Sequence, residues 1–267
     1  MTKNTPVAII VIISLTIFLL VFFLFSNRDG VVFTSSKSEG YLIVGQNSMF
    51  SYHNKKIYNV PINSNVMKEL DWNEFKVLDN YKVKGNYLMH FDEKWYLFTK
   101  DRKAVTYESD SIIAYKANYK MNYVYKESIP IVDNEYVEKV ADKKGVAAEN
   151  LTVNEEVNMD IDNDGKNETF YLISTALPVI PTEDKEYSIV FMVKDGKIYN
   201  IYDTLVAKII PDICQPKIEG FINLNENNKY EVILSCSTIG PREQKVYLYE
   251  MTKKNGNLQF ELKASNT

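Results

Sequence analysis

The sequence predicts a mainly β protein, an N-terminal transmembrane helix followed by an antiparallel β domain. Three observations predict it. An uncharged apolar run near the start suits a membrane span. Short apolar-aromatic runs punctuated by turn residues fill most of the remainder. A strand–loop–strand unit with a following hairpin occurs twice towards the end.

Val7 to Phe25 reads VAIIVIISLTIFLLVFFLF, nineteen residues with Ser14 and Thr16 as the only polar members. A helix of this length spans roughly 28 Å, close to the ~30 Å thickness of a bilayer's hydrocarbon core. It also satisfies its own backbone where no water is present. A cleaved signal peptide has a shorter apolar region and a small-x-small cleavage site. Here the exit reads Phe25, Ser26, Asn27, Arg28, Asp29, and no cysteine follows at once to carry a lipid. The expectation is an uncleaved single-pass anchor, with residues 1–6 as a tail before it and 26–39 as a polar, serine-rich stalk after it. Lys3 on one side and Arg28 and Lys37 on the other nearly balance the positive-inside signal. Charge alone leaves the orientation open.

About 240 residues remain beyond the anchor, enough for one large or two small domains. A formal charge of −4 and a pI near 5.4, with lysines scattered among acids, exclude a basic nucleic-acid surface. Lys, Asn, Ile and Tyr are abundant and Gly is scarce, which suits an AT-rich bacterial genome.

From Gly40 two series of strand-like runs appear. Tyr41–Val44, Met49–Tyr52 and Lys56–Val60 form one, with turns at Gln46-Asn47 and His53-Asn54. Tyr87–Phe91, Trp95–Thr99 and Ala104–Tyr107 form the other, about 46 residues on. These place an N-terminal β region over 40–132. A helix is expected over Asn134 to Lys144, because Tyr136, Val137, Val140 and Ala141 fall at helical spacing. Asp133 is its N-cap, Lys143 and Lys144 lie in the last turn, and Gly145 ends it. It anchors a connector over 133–152.

Residues 153–267 carry the duplication. Asp160-Ile-Asp-Asn-Asp-Gly-Lys-Asn-Glu168 leads into the strand Thr169–Ser174, then Tyr187–Val193, the turn Asp195-Gly196, and Lys197–Tyr202. Sixty-three positions after Asp160, Asn223-Leu-Asn-Glu-Asn-Asn-Lys-Tyr-Glu231 leads into Val232–Ser237, then Lys245–Met251, the turn Asn255-Gly256, and Leu258–Leu262. Asp-Gly and Asn-Gly favour tight hairpins, since both central residues need positive φ.

In the first loop Asp160, Asp162 and Asp164 alternate, Gly165 permits a sharp bend, Lys166 offers its backbone carbonyl, and Glu168 closes the ring. Calcium takes six to eight hard oxygen ligands, and this spacing supplies most of them. An EF-hand is excluded, because its closing glutamate position is Tyr171 and the flanks read as strands. The loop between two strands resembles the calcium loops of FG-GAP and VCBS repeats, which build β-propeller blades in integrin α-subunits and bacterial surface proteins. The resemblance covers about Val153 to Leu262. It implies a partial or small β-propeller, with two consecutive β domains as the alternative, and one structural Ca2+ held by Asp160, Asp162, Asp164, Lys166 and Glu168. The second loop departs from the pattern. Asn223, Asn225 and Asn227 replace the aspartates and Asn228 the glycine, so the turn survives while most metal-binding charge is lost.

The other candidates are plainer. His53 and His90 read as ordinary strand histidines, and nothing pairs Asp71, Glu74 and Asp92 as catalytic acids. Trp72 and Trp95 are candidates for a binding face or for core. Two cysteines make neither a disulfide framework nor a zinc site. A hairpin placing Cys236 opposite about Lys217 would leave Cys214 three residues further along. Whether the two pair stays open.

No catalytic metal motif, nucleophile elbow or phosphate loop occurs. The expected task is therefore binding, adhesion or scaffolding at the cell envelope, with the domain extracytoplasmic. The envelope partner would be polysaccharide or a surface protein. The alternative is an envelope hydrolase using loop carboxylates.

Overall fold

Apolar and polar residues alternate with the period of two that a pleated strand imposes, and this sets most elements of the chain. The computed structural model describes residues 40–53, 56–61, 64–79, 82–106, 112–116, 126–127, 135–147, 151–175, 186–206, 214–224, 229–238 and 244–266. The expected membrane helix Val7–Phe25 and the stalk 26–39 lie outside the described residues. Among the described residues no helix is long and apolar enough to cross a membrane.

The N-terminal sheet contains both expected meanders. β1 (Gly40–Val44), β2 (Ser48–His53) and β3 (Lys56–Asn59) form one end. β4 (Asn73–Asp79), β5 (Lys82–Asp92), β6 (Lys94–Phe98) and β7 (Ala104–Val105) form the other. β8 (Ile112–Lys116) joins the halves, giving an eight-stranded antiparallel sheet in the order β3-β2-β1-β8-β4-β5-β6-β7. A short helix α1 (Asn65–Leu70), not expected from sequence, buries Val66, Met67 and Leu70. With six residues it is too short for a periodic pattern to stand out.

The duplicated region forms two further sheets. After β9 (Lys126–Glu127) and helix α2 (Glu135–Lys144) come β10 (Leu151–Met159), β11 (Glu168–Thr175), β12 (Glu186–Lys194) and β13 (Lys197–Val206). With β9 they make the middle sheet, in the order β13-β12-β11-β10-β9. The C-terminal sheet is a four-stranded meander of β14 (Cys214–Ile222), β15 (Glu231–Thr238), β16 (Lys245–Lys254) and β17 (Asn257–Ser265). Both Gly-containing hairpin turns have the expected left-handed backbone, φ 50° and 71° at Asp195-Gly196 and φ 53° and 79° at Asn255-Gly256. The helix lies where its spacing placed it, and Gly145 ends it at φ 67°.

The C-terminal sheet lies between the other two. Val232 and Leu234 pack with Val157, Phe170 and Leu172 of the middle sheet. Ile233, pointing the opposite way, packs with Leu42, Val44 and Phe50 of the N-terminal sheet. Burial on both faces explains why Val232, Ile233 and Leu234 of β15 follow one another without a polar residue between them. On the far side of the middle sheet, Val137 and Val140 of α2 cover Tyr171, Ile173, Ile189 and Phe191. Each fully buried aliphatic or aromatic side chain contributes about 1.5–3 kcal/mol, so these layers hold the loop ends rigidly.

Cys236 is disulfide-bonded, and Cys214 is the other cysteine of the chain. A bulge between Ile218 and Gly220 shifts the β14–β15 register by one. Cys236 therefore lies opposite Pro216 rather than Lys217, and Cys214 opposite Thr238.

Candidate cation loops of the duplicated unit

The two loops leave their sheets at equivalent places. Met159 pairs with Glu168 at the mouth of the first loop, and Ile222 pairs with Glu231 at the mouth of the second. In each loop the glutamate closes the ring on itself. Glu168 Oε2 accepts from the Ile161 amide at 3.0 Å, and Glu231 Oε2 accepts from the Leu224 amide at 2.8 Å. Both bonds reach back seven residues. Ile161 and Leu224, whose amides these bonds use, are buried, as are both glutamates. The loops also touch directly, since the Tyr230 amide donates to the Ile161 carbonyl at 3.0 Å.

In the first loop, the backbone curls around Asp160. Its Oδ1 accepts from the Asp164 amide at 3.0 Å and its Oδ2 from the Gly165 amide at 2.9 Å. Asp164 Oδ1 accepts from the Lys166 amide at 2.9 Å. Positive φ at Asn163 (56°) and Gly165 (87°) makes the curl possible. Asp160, Asp162 and Glu168 each offer a carboxylate oxygen, all within 4.8 Å of one another, which is a hard-cation donor set.

Sequence reasoning missed the residue that faces this set. Lys194, at the end of β12, sends its ammonium into the loop. Nζ lies 2.8 Å from Asp164 Oδ2 and 3.2 Å from Asp162 Oδ1, and it also bonds Glu168 Oε1. One further step along the Thr169–Val193 register brings Lys194 opposite Glu168. Burial alone would depress the Lys194 ammonium, but its bonds to Asp164, Glu168 and Asp162 outweigh that and hold it above the ordinary lysine range. The same Lys194 bond, with the Lys166 amide, draws Asp164 below the usual carboxylate range. Burial pushes Glu168 up, against the pull of Lys194 and the Ile161 amide. In this arrangement the Lys194 ammonium occupies the donor set, bonding Asp162 and Glu168 of it and the neighbouring Asp164.

The second loop is the reverse case. The residue opposite Glu231 across β15 and β16 is Glu250, another acid. Glu231 is fully buried, and burial pushes its carboxyl up to about 8, with Glu250 adding to the shift. Lys263 bonds Glu250 at 2.9 Å and Glu261 at 2.9 Å.

The remaining candidates separate clearly. Trp95 is core, 3 % exposed. Trp72, at φ 59°, stacks on His90 with ring centroids 4.4 Å apart and carries the Arg102 guanidinium 4.8 Å from its ring. His90 has a partner that spacing did not suggest. Its Nδ1 lies 2.8 Å from Asp71 Oδ1, which also accepts from the Phe91 amide at 2.9 Å. Phe98 packs against both Trp72 and His90, and Tyr96, 40 % exposed, lies opposite His90 with Lys94 over its ring. The result is an aromatic cluster of His90 on β5 and Tyr96 and Phe98 on β6, joined by Trp72 from the turn before β4. Asp71 is thus engaged with His90, Glu74 lies 3.5 Å from Lys100, and Asp92 is exposed at the end of β5. A groove of about 420 Å3 between α2 and β13 is lined by Lys139, Lys143, Lys144, Ile198, Tyr199 and Leu258, without a carboxylate. No family model, curated protein or solved structure matches the chain.

Proposed function

We propose that this chain is a single-pass envelope protein whose extracytoplasmic β domain binds or scaffolds envelope polysaccharide or surface protein. The observation that carries the reading is the partly exposed aromatic cluster of Trp72, His90, Tyr96 and Phe98, edged by Arg102 and Lys94. Aromatic surface flanked by cations suits an anionic glycan or an acidic protein segment. A disulfide at Cys236 supports an oxidising compartment, since such bonds are rare in the cytosol. Val7–Phe25 would supply the anchor.

The first loop is proposed as a structural calcium site of Asp160, Asp162, Asp164, the Lys166 carbonyl and Glu168, with the ion exchanging against the Lys194 ammonium. Two four-stranded meanders stacked face to face support the FG-GAP-like reading and a partial or small β-propeller. Two consecutive β domains are the simpler arrangement of the same sheets. Catalysis is not part of the proposal.

The test is direct binding of the detergent-solubilised full chain to purified envelope polysaccharide, with and without calcium. Trp72→Ala should lose most of the binding while unfolding at nearly the same temperature. Equal binding by the variant, or none by the wild type to polysaccharide or surface protein, would reject the Trp72 face. Protease shaving of intact cells should remove most of the chain; full protection until lysis would reject the outward orientation.

A further inference from the structure

We propose that the aromatic cluster on β5 and β6 takes an anionic polysaccharide, and that Arg102 is the residue that reads its charge. This deepens the binding role proposed above and rests on it. The Arg102 guanidinium lies 4.8 Å from the Trp72 ring centre and has no hydrogen-bond or ion-pair partner among the described residues. Trp72 is already in contact with His90, stacked at 4.4 Å, and with Phe98 at 4.9 Å. The indole is therefore a platform that holds Arg102, and the free donors of the cluster belong to the guanidinium. Of the nearby acids, Asp71 bonds His90, Glu74 lies 3.5 Å from Lys100, and the exposed Asp101 makes no ion pair with Arg102.

Both partners of the stack sit on left-handed backbone that large side chains seldom adopt, φ 59° at Trp72 and 57° at Arg102. Such positions persist where the surroundings hold them, and both turns are pinned. The Trp72 amide donates to the Met89 carbonyl at 2.7 Å and the Arg102 amide to the Thr99 carbonyl at 2.9 Å. Thr99 Oγ1 also accepts from the Lys103 amide at 3.1 Å. A planar fork of N–H donors held this way loses little freedom on meeting a carboxylate or phosphate, whose paired oxygens it matches. On β6, Lys94, Tyr96 and Phe98 alternate with the buried Trp95 and Leu97, so they share the outward face. Lys94 Nζ lies 5.3 Å from the Tyr96 ring centre. A cation thus stands at each end of an aromatic row, Lys94 beyond Tyr96 and Arg102 beside Phe98 on Trp72. Same-face neighbours on a strand lie about 7 Å apart, so a single small anion reaches one end only. A chain with repeated anionic groups reaches both. Sugar rings also present flat C–H faces to the exposed Tyr96 between them, which acidic side chains do not.

The experiment is calorimetric titration of the full chain in mild detergent with polygalacturonate, poly(glycerol phosphate), neutral dextran and poly-glutamate. At least one of the two anionic probes with sugar or polyol backbones should bind, and which one does separates carboxylate from phosphate as the source of charge. Dextran should bind about tenfold more weakly or worse. Arg102 is exposed, so its variants keep the fold. Arg102→Gln should weaken binding of the anionic probe by about tenfold or more. Arg102→Lys should fall between, because it keeps the charge and loses the stacked fork. Lys103→Gln removes a charge one position on without disturbing the stack, so an equal loss there would show diffuse attraction and overturn the role of Arg102. Dextran binding as tightly as the anionic probes, or no binding of either anionic probe, would overturn the proposal. Tighter binding of poly-glutamate would overturn it in favour of an acidic protein segment. If Trp72→Ala loses binding while Arg102→Gln binds like the wild type, the aromatic cluster stands as a binding site and the assignment of Arg102 falls.

Discussion

Lys194 stands across β11 and β12 from Glu168, and its ammonium bonds that buried carboxylate together with Asp162 and Asp164. One lysine thus pairs with three of the four acids that the loop holds within nine residues. Replacing it with methionine keeps the apolar stem and removes the charge. In EDTA, Lys194→Met should lose about 1–3 kcal/mol, less than a fully buried pair because Asp164 is exposed. Millimolar calcium should restore most of that loss and shift the variant's unfolding midpoint more than the wild type's. Equal midpoints of the variant in EDTA and calcium would leave the first loop an ion-paired acidic turn.

The double change Asp162→Asn with Asp164→Asn removes two of the lysine's three carboxylate partners. It should lower the unfolding midpoint only slightly in EDTA, and combined with Lys194→Met it should remove the extra calcium response that Lys194→Met alone shows. An undiminished response in the triple variant would place the ion elsewhere.

Cys236 is disulfide-bonded, and Cys214 lies 22 positions before it. A cross-link closing a loop of that size stabilises a fold by about 3 kcal/mol, chiefly by restricting the unfolded chain. Cys236→Ser should lower the urea midpoint accordingly, and the denatured wild type should show no thiol until reductant is added. A free thiol before reduction would contradict the bond.

Much of this architecture was legible because strand alternation and hairpin turns are local. Asp195-Gly196, Asn255-Gly256 and the repeated loops announce themselves within a few residues, and α2 within three turns. Lys194 was not legible, because it reaches Asp164 and Glu168 only through the β11–β12 register, 26 to 30 positions away. The burial of Glu231 and the Glu250 opposite it were hidden for a related reason, since neither shows along Asn223–Glu231 itself. The cysteine register was off by one because the bulge at Ile218–Gly220 has no strong sequence mark. The stacking order of the three sheets belongs to tertiary packing, which no local pattern in the chain encodes.

Gly220 marks where the C-terminal sheet meets the N-terminal one. A Cβ there would lie 3.2 Å from Ile113 Cδ1, closer than a relaxed carbon contact. Ile113 belongs to the shared core with Ile233 and Leu248, so it has little room to retreat. Gly220→Ala should cost about 1–3 kcal/mol, and the companion change Ile113→Val should recover part of it. Additive losses in the double variant would show that this contact is not the seam.

Glu231 predicts the pH response of the domain. Its carboxyl is displaced by burial from an ordinary 4.5 to about 8 in the folded state. Between those values the folded chain holds a proton that the unfolded chain has released. Stability from this group is therefore full below 4.5, falls as pH rises, and is lost above about 8. The slope reaches at most about 1.4 kcal/mol per pH unit. Glu168 is also raised and acts in the same direction, so the wild type alone cannot assign the effect. Glu231→Gln isolates it, being unable to ionise at any pH. In EDTA, urea denaturation at about pH 5, 7 and 9 should show a loss in the wild type on the order of a few kcal/mol larger than in the variant. Parallel curves for the two proteins in EDTA would mean that Glu231 ionises freely inside the fold.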